Sequence, residues 1–151
     1  MNVIFAALID AARLLKNPVE FYTDFPFSSP LKYSVRTLLF WGLLAGILDL
    51  IAGALGVRAG AESSLARLAI LALAPPVFLF VAAGASCGFW LLLRVLGLRL
   101  AWKDAFRAIG ALGPLLGLEV LLGPILLFRA ALIGAKFGFA CVAAEHAFKL
   151  P

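Results

Sequence analysis

The chain has 151 residues, of which 64% are hydrophobic and 14% are charged. A typical soluble domain is roughly 45–50% apolar and about 25% charged, so a water-soluble fold of this length could not bury so much apolar surface. The net charge of +5 comes from basic residues scattered singly between apolar runs. This pattern argues against a nucleic-acid partner and indicates membrane lipids with anionic headgroups instead.

The N-terminal region is predicted to lie on a membrane surface. Residues 2–16 can form a short amphipathic helix, with an apolar side and with Asp10, Arg13 and Lys16 mainly opposite. Pro18 discourages continuation of this helix. Residues 17–34 contain three prolines and five aromatic residues, which predicts an irregular interfacial segment.

Four transmembrane helices are predicted at 35–57, 65–96, 105–123 and 125–147. About 20 apolar residues are needed to cross the roughly 30 Å hydrocarbon layer. In the second span, Pro75 and Pro76 should kink the helix or end its first turn. The expected fold class is therefore all-α, a polytopic membrane helix bundle preceded by one interfacial helix.

The last two spans allow an alternative. Gly123 and Pro124 interrupt the apolar run and predict a tight turn between two short helices. In the alternative, the third helix continues to Phe128 and an interfacial helix follows on the far side. The run from 137 to 144 is apolar all round, which favours insertion and thus four spans.

Orientation follows from the lysines and arginines in short loops. The N-terminal region and the loop between the second and third spans are the basic segments, so both should be cytoplasmic, with both chain termini on that side. The residues expected to contact lipid headgroups are Arg13, Lys16, Arg94, Arg99, Lys103 and Arg107. The Ala- and Leu-rich composition, with Arg used more than Lys, suggests the inner membrane of a GC-rich bacterium.

Each predicted span carries two glycines four residues apart. Such pairs allow helix backbones to approach closely, which matters in lipid because burial from water no longer drives helices together. They predict close helix packing, either within the bundle or against a partner or second copy. The pairs are Gly42 and Gly46, Gly84 and Gly88, Gly113 and Gly117, and Gly134 and Gly138.

Four charged residues lie away from the ends of the predicted spans, namely Asp49, Glu119, Arg129 and Lys136. Charges in hydrocarbon are costly and usually face a bundle interior or a cavity. Counting 1.5 Å per residue along each helix places Glu119 and Arg129 at similar depths, and a long lysine stem could join Lys136 to Asp49. We therefore predict the ion pairs Glu119–Arg129 and Asp49–Lys136. They could fix helix register, line a substrate or ion path, or contact a partner or headgroup.

The sequence offers no convincing catalytic centre. No Gly-rich phosphate loop, nucleophile elbow or zinc-protease helix is present, and no cluster of metal ligands is evident. We expect a protein that is not an enzyme and that needs no metal or cofactor.

The order of features resembles the Yip (Ypt/Rab-interacting protein) domain family, particularly its bacterial members. The resemblance covers most of the chain. It rests on the amphipathic helix leading into Asn17-Pro18-Val19-Glu20-Phe21-Tyr22, and on the loop Leu96-Gly97-Leu98-Arg99 before Trp102-Lys103-Asp104-Ala105-Phe106-Arg107-Ala108. It implies a non-enzymatic integral membrane protein. The family usually has five spans, so this chain would lack the fifth. Eukaryotic members associate with small GTPases, but no binding residues are carried over.

Two functions are compatible with these features. The first is a scaffold or accessory subunit that packs against other integral membrane proteins or against itself. The second is a transport component for lipid or a small solute or ion, using the buried charges.

Overall fold

The fold was analysed in a computed structural model, which describes residues 3–25, 30–54, 64–98, 100–122 and 126–147. The all-α prediction is confirmed, because the described residues form helices and turns and no strand. The helices are α1 (Val3–Lys16), α2 (Pro18–Thr23), α3 (Leu31–Ala54), α4 (Ser64–Val95), α5 (Trp102–Gly110), α6 (Gly113–Leu122) and α7 (Leu126–Val142).

Helix α1 packs against the rest of the protein through one narrow face. This buried face consists of small residues and one leucine: Ala6, Ala7, Ala11 and Leu14. Asp10, predicted mainly opposite the apolar side, is half-buried and accepts a hydrogen bond from Tyr33 of α3. Small side chains allow α1 to pack closely, and the larger apolar residues are left exposed, namely Ile4, Phe5, Leu8, Ile9 and Leu15.

The prediction of an irregular segment over residues 17–34 is wrong in part, because α2 and the start of α3 lie within it. Asn17 caps α2, since its side chain accepts a hydrogen bond from the Glu20 amide at 3.3 Å and donates one to the Glu20 carboxylate at 2.9 Å. Pro18 occupies the first helical position, where its missing N–H is not needed. Asn17 is therefore the N-cap of α2, and a side-chain oxygen that accepts from a first-turn amide favours the start of a helix.

Tyr22 joins α2 to the rest of the protein. Its side chain is buried, and its hydroxyl donates a hydrogen bond of 3.3 Å to the Ala108 carbonyl on α5. Burial raises the pKa of the Tyr22 phenol, so the hydroxyl remains a donor. Tyr22 packs with Leu14, Ile109 and Leu115 in one hydrophobic cluster, which connects α1, α2, α5 and α6.

Helices α3 and α4 form the central pair. Among the described residues, α3 and the Leu68–Val95 part of α4 are the two segments long and apolar enough to cross a membrane. Pro75 and Pro76 lie inside α4 and neither ends its helix. Gly97 ends α4 instead: it adopts a φ of 88°, and the Leu98 amide donates to the Leu93 carbonyl at 3.0 Å, as in a glycine C-terminal cap.

The predicted transmembrane helix over residues 105–123 is two shorter helices, α5 and α6, separated by a turn at residues 111–112. The physical reason is Pro114, which has no N–H to donate to the carbonyl of Gly110 and therefore interrupts the helical ladder. Helix α6 has 10 residues, about 15 Å of length, which is about half of the hydrocarbon thickness.

The fourth predicted span corresponds to α7, which continues as a π-helical turn over Ala143–Ala147. Helix α7 lies against α6, and both α7 and the π-helical turn contact α2. The predicted Gly123-Pro124 turn lies outside the described residues. The C-terminal part of the chain therefore returns to the N-terminal helices and leaves a space between α7 and α4.

Candidate functional site

A large open groove separates α4 from α7. We call it the α4–α7 groove; it has a volume of about 730 Å³ and an apolar lining. Its floor is formed where α5 meets α6. The lining residues are Val81, Ala85, Gly88, Phe89, Leu92, Leu93 and Leu96 on one wall, Ile109, Leu112 and Leu116 on the floor, and Ile133, Lys136, Phe137, Ala140, Cys141, Ala144 and Glu145 on the other wall.

The groove contains an ion pair that links α6 to α7. Lys136 lines the groove, and its Nζ donates a hydrogen bond to Glu119 Oε2. The side chains are only 21% and 29% exposed, so both ions are largely removed from solvent. Because the two charges neutralise each other, they can occupy a shielded position where an isolated charge would be strongly destabilising.

This ion pair differs from both predicted pairs. It joins Glu119 from one predicted pair to Lys136 from the other. The side chain of Arg129 lies outside the described residues, so the Glu119–Arg129 pair stays a prediction. Asp49 has an interaction of its own, and its pairing with Lys136 likewise stays a prediction. Glu119 is 17 residues before Lys136, a spacing that the fold of α6 back onto α7 brings together.

Half of the glycine pairs lie against other helices. A Cβ placed on Gly42 would lie 2.7 Å from Pro75 Cα, and one on Gly46 would lie 3.2 Å from Ala74 Cβ. On α6, a Cβ on Gly113 would lie 2.7 Å from Trp41 Cδ1, and one on Gly117 would lie 3.7 Å from Trp41 Cε3. These four glycines therefore allow α4 and α6 to approach α3 closely.

The other two pairs face open space. A Cβ on Gly84, Gly88, Gly134 or Gly138 would meet no atom within 4 Å among the described residues. Gly88 lines the α4–α7 groove, and large apolar side chains are exposed nearby, including Leu92 and Phe137. The walls of the groove thus present apolar surface with no helix of the described chain packed between them.

The predicted headgroup contacts fall into different environments. Lys16 and Lys103 are exposed, and Arg94 stacks over the Trp90 ring at 5.1 Å. Arg13 forms an exposed ion pair with Asp24 at 3.8 Å. Arg99 lies outside the described residues.

Arg107 differs from the other predicted headgroup contacts, because its side chain is buried in the protein instead of lying at the surface. Its Nη1 donates a hydrogen bond to Asp104 at 2.7 Å, and the residue is 8% exposed. The reason is the position of α5 between α3 and α4, which turns Arg107 toward α3. The spacing of Asp104 and Arg107, three residues apart on a helix, is typical of an ion pair and could have indicated this.

Arg107 also lines a second, smaller cavity. We call it the inner cavity; it has a volume of about 160 Å³ and is lined by residues of α1, α2, α3, α5 and the start of α6. Asp10 and Trp41 line it as well. This site could not be predicted from the sequence, because its polar residues come from helices that are distant along the chain.

The remaining reactive groups form no metal site. Within the described ranges, no three His, Cys, Asp or Glu side chains are close enough to hold an ion. Cys87 and Cys141 are free thiols on exposed positions of α4 and α7.

Comparison with known proteins finds no match, whether with protein-family models, with curated proteins or with solved structures.

Proposed function

We propose that this protein is a non-enzymatic integral membrane protein that acts as a scaffold or accessory subunit, with its α4–α7 groove receiving a transmembrane helix of another membrane protein. Membrane insertion is supported by the exposure of α4. Only 11% of its most apolar window is buried, whereas a long apolar helix in a soluble core would be mostly buried. Hydrocarbon is the solvent that suits such a surface.

The groove is the observation that carries the scaffold function. In lipid, helices associate through close packing at small residues, and Gly84, Gly88, Gly134 and Gly138 provide unoccupied small-residue surface on or beside its walls. A partner helix with small residues could approach Gly88 closely while Leu92 and Phe137 pack around it.

The proposal includes a topology. The chain would span the inner membrane of a bacterium four times with both termini in the cytoplasm, α5 and α6 together forming the third span. The resemblance to the Yip domain family favours the same class of non-enzymatic membrane protein. Membrane lipids would surround the exposed apolar side chains.

Site-specific photocrosslinking tests the groove. A benzoylphenylalanine replaces Phe137, which lines the groove and is 70% exposed, or Phe80, which is 79% exposed on α4 and lies outside it. In native membranes we expect the probe at position 137 to give one discrete adduct with another membrane protein, and the probe at position 80 to react mainly with lipid.

The probe at position 80 and a substitution inside the groove serve as controls. Replacing Gly88 with Leu should abolish the adduct at position 137 without unfolding the protein, because no atom lies within 4 Å of a Cβ there. Equal adducts from positions 80 and 137 would contradict the proposal. An adduct between two copies of this chain would replace it with self-association.

A transport component is the second candidate, favoured by one observation: the groove reaches the partly shielded Lys136–Glu119 pair. A transporter of lipid or of a small solute or ion should lose flux in reconstituted vesicles when Glu119→Gln and Lys136→Gln are combined, while the crosslink at position 137 persists. A scaffold should keep its crosslink and show no flux in either form.

A further inference from the structure

Two buried hydrogen-bond donors of the inner cavity have no partner in the part of the chain that the structure describes. They are Trp41 Nε1 and Arg107 Nε, and both residues line the cavity. Trp41 is 9% exposed and Arg107 is 8% exposed. Neither group can accept a hydrogen bond. Leaving such donors unpaired away from water is unfavourable, so an acceptor oxygen is the natural complement of this wall.

The lining of the same cavity also includes the carboxylate of Asp10. Asp10 Oδ2 accepts a hydrogen bond of 2.7 Å from the Tyr33 hydroxyl, and both residues line the cavity. A phenol is neutral, so this bond leaves the negative charge of Asp10 uncompensated. By contrast, the charge of Arg107 is already balanced by Asp104 at 2.7 Å. The lining therefore combines unpartnered N–H donors with a carboxylate that suits a cation.

The cavity is larger than a water site and reaches the surface. A buried water needs only about 10–15 Å³, and the inner cavity has about 160 Å³. The Arg13–Asp24 ion pair also lines it, and these two side chains are 53% and 62% exposed. The cavity therefore opens where a polar group can enter.

We propose that the inner cavity binds a phosphate–ammonium zwitterion, the headgroup chemistry of phosphatidylethanolamine. The phosphate oxygens accept hydrogen bonds from Arg107 Nε and Trp41 Nε1. The primary ammonium donates to the carboxylate of Asp10. A trimethylated ammonium has no N–H to donate, and a glycerol headgroup carries no cation, so both should bind less well. This site shares no residue with those that carry the α4–α7 groove proposal, so either proposal can fail alone.

Native mass spectrometry of the purified full chain in detergent tests this site. The lipid arms are phosphatidylethanolamine, phosphatidylcholine and phosphatidylglycerol with the same acyl chains, and a fourth arm is free phosphoethanolamine. We expect one phosphatidylethanolamine per chain, bound at least about tenfold more tightly than the other two lipids, the scale of one charge-assisted hydrogen bond. Equal binding of the free compound would assign the same chemistry to a soluble ligand.

The structure offers a matched control. Trp102 Nε1 is also buried without a partner, but Trp102 does not line the inner cavity. Trp41→Phe should weaken binding roughly tenfold, and Trp102→Phe should leave it unchanged. Asp10→Asn should remove the preference for phosphatidylethanolamine over phosphatidylglycerol.

Two results would overturn the proposal. One is equal binding of the three lipids with no binding of free phosphoethanolamine, which would indicate that water fills the cavity. The other is the same affinity in the Trp41→Phe and Trp102→Phe proteins. If the Trp41→Phe protein does not fold, Arg107→Lys provides the same test, because it keeps the positive charge and removes Nε. Unchanged affinity of the Arg107→Lys protein would also overturn the proposal.

Discussion

The contact between α3 and α4 at Gly42 allows a quantitative prediction. An alanine Cβ at this position would lie 2.7 Å from Pro75 Cα and 3.1 Å from the Ala74 carbonyl oxygen. Carbon atoms in contact prefer separations of about 3.5–4.0 Å, so the two helices would have to separate by roughly 1 Å. The obstructing atoms belong to the backbone, so no side-chain rotation can relieve the contact.

The expected effect can be estimated from two opposing contributions. Overpacking costs about 1–3 kcal/mol, and exchange of glycine for alanine inside a helix returns up to about 1 kcal/mol. Gly42→Ala should therefore lower the free energy of unfolding by about 1–2 kcal/mol. Gly84→Ala, which meets no atom within 4 Å, should raise it by up to about 1 kcal/mol.

Thermal unfolding of the purified protein in detergent measures the difference. The two variants should differ by about 1–3 kcal/mol. At about 2–4 °C per kcal/mol for a chain of this size, their melting temperatures should differ by about 2–12 °C, with Gly42→Ala the lower. If both substitutions shift the melting temperature in the same direction by similar amounts, the close approach at Gly42 does not limit stability and the reasoning is wrong.

Two further predictions concern polar contacts. Glu119→Gln and Lys136→Met should each destabilise the protein, whereas the double variant should recover part of the loss. A double-mutant cycle from chemical denaturation should give a coupling energy of about 1–3 kcal/mol, and a value near zero would contradict a direct ion pair. Tyr22→Phe should lower the free energy of unfolding by about 1 kcal/mol because the buried Ala108 carbonyl loses its donor. An unchanged midpoint of denaturation would show that water replaces the phenol.

The long helices α3 and α4 could be predicted from the sequence because long apolar stretches are visible in its composition. Long runs with few charges predicted α3 and α4 within a few residues of their bounds. Two predictions were wrong because single residues that start or interrupt a helix were not considered: the irregular segment at residues 17–34 and the continuous helix at residues 105–123. Asn17 is the N-cap of α2 and Pro18 is its first helical residue, and Pro114 separates α5 from α6. Both are positional effects of single residues, which apolar run lengths do not reveal.

Ion-pair partners could not be predicted by counting depth along helices. That method assumes straight, parallel spans, and it specifies neither the direction in which a side chain points nor how far one helix is displaced along another. The structure joins Glu119 to Lys136, although counting along the predicted spans places these two residues at different depths in the membrane. The inner cavity was missed for the same reason, since Asp10, Trp41 and Arg107 meet only after three helices have packed.

The position of Arg107 links stability to function. A buried ion pair is often no more stabilising than apolar residues of similar size, and here one guanidinium nitrogen bonds to Asp104 while Nε has no partner. A leucine or methionine in the same place would avoid that unsatisfied donor. Packing alone therefore gives no reason for an arginine between α3 and α5. The proposed ligand gives a reason for this arginine. With the Trp41 N–H and the Asp10 carboxylate, Arg107 complements a ligand that carries both acceptor oxygens and a cation.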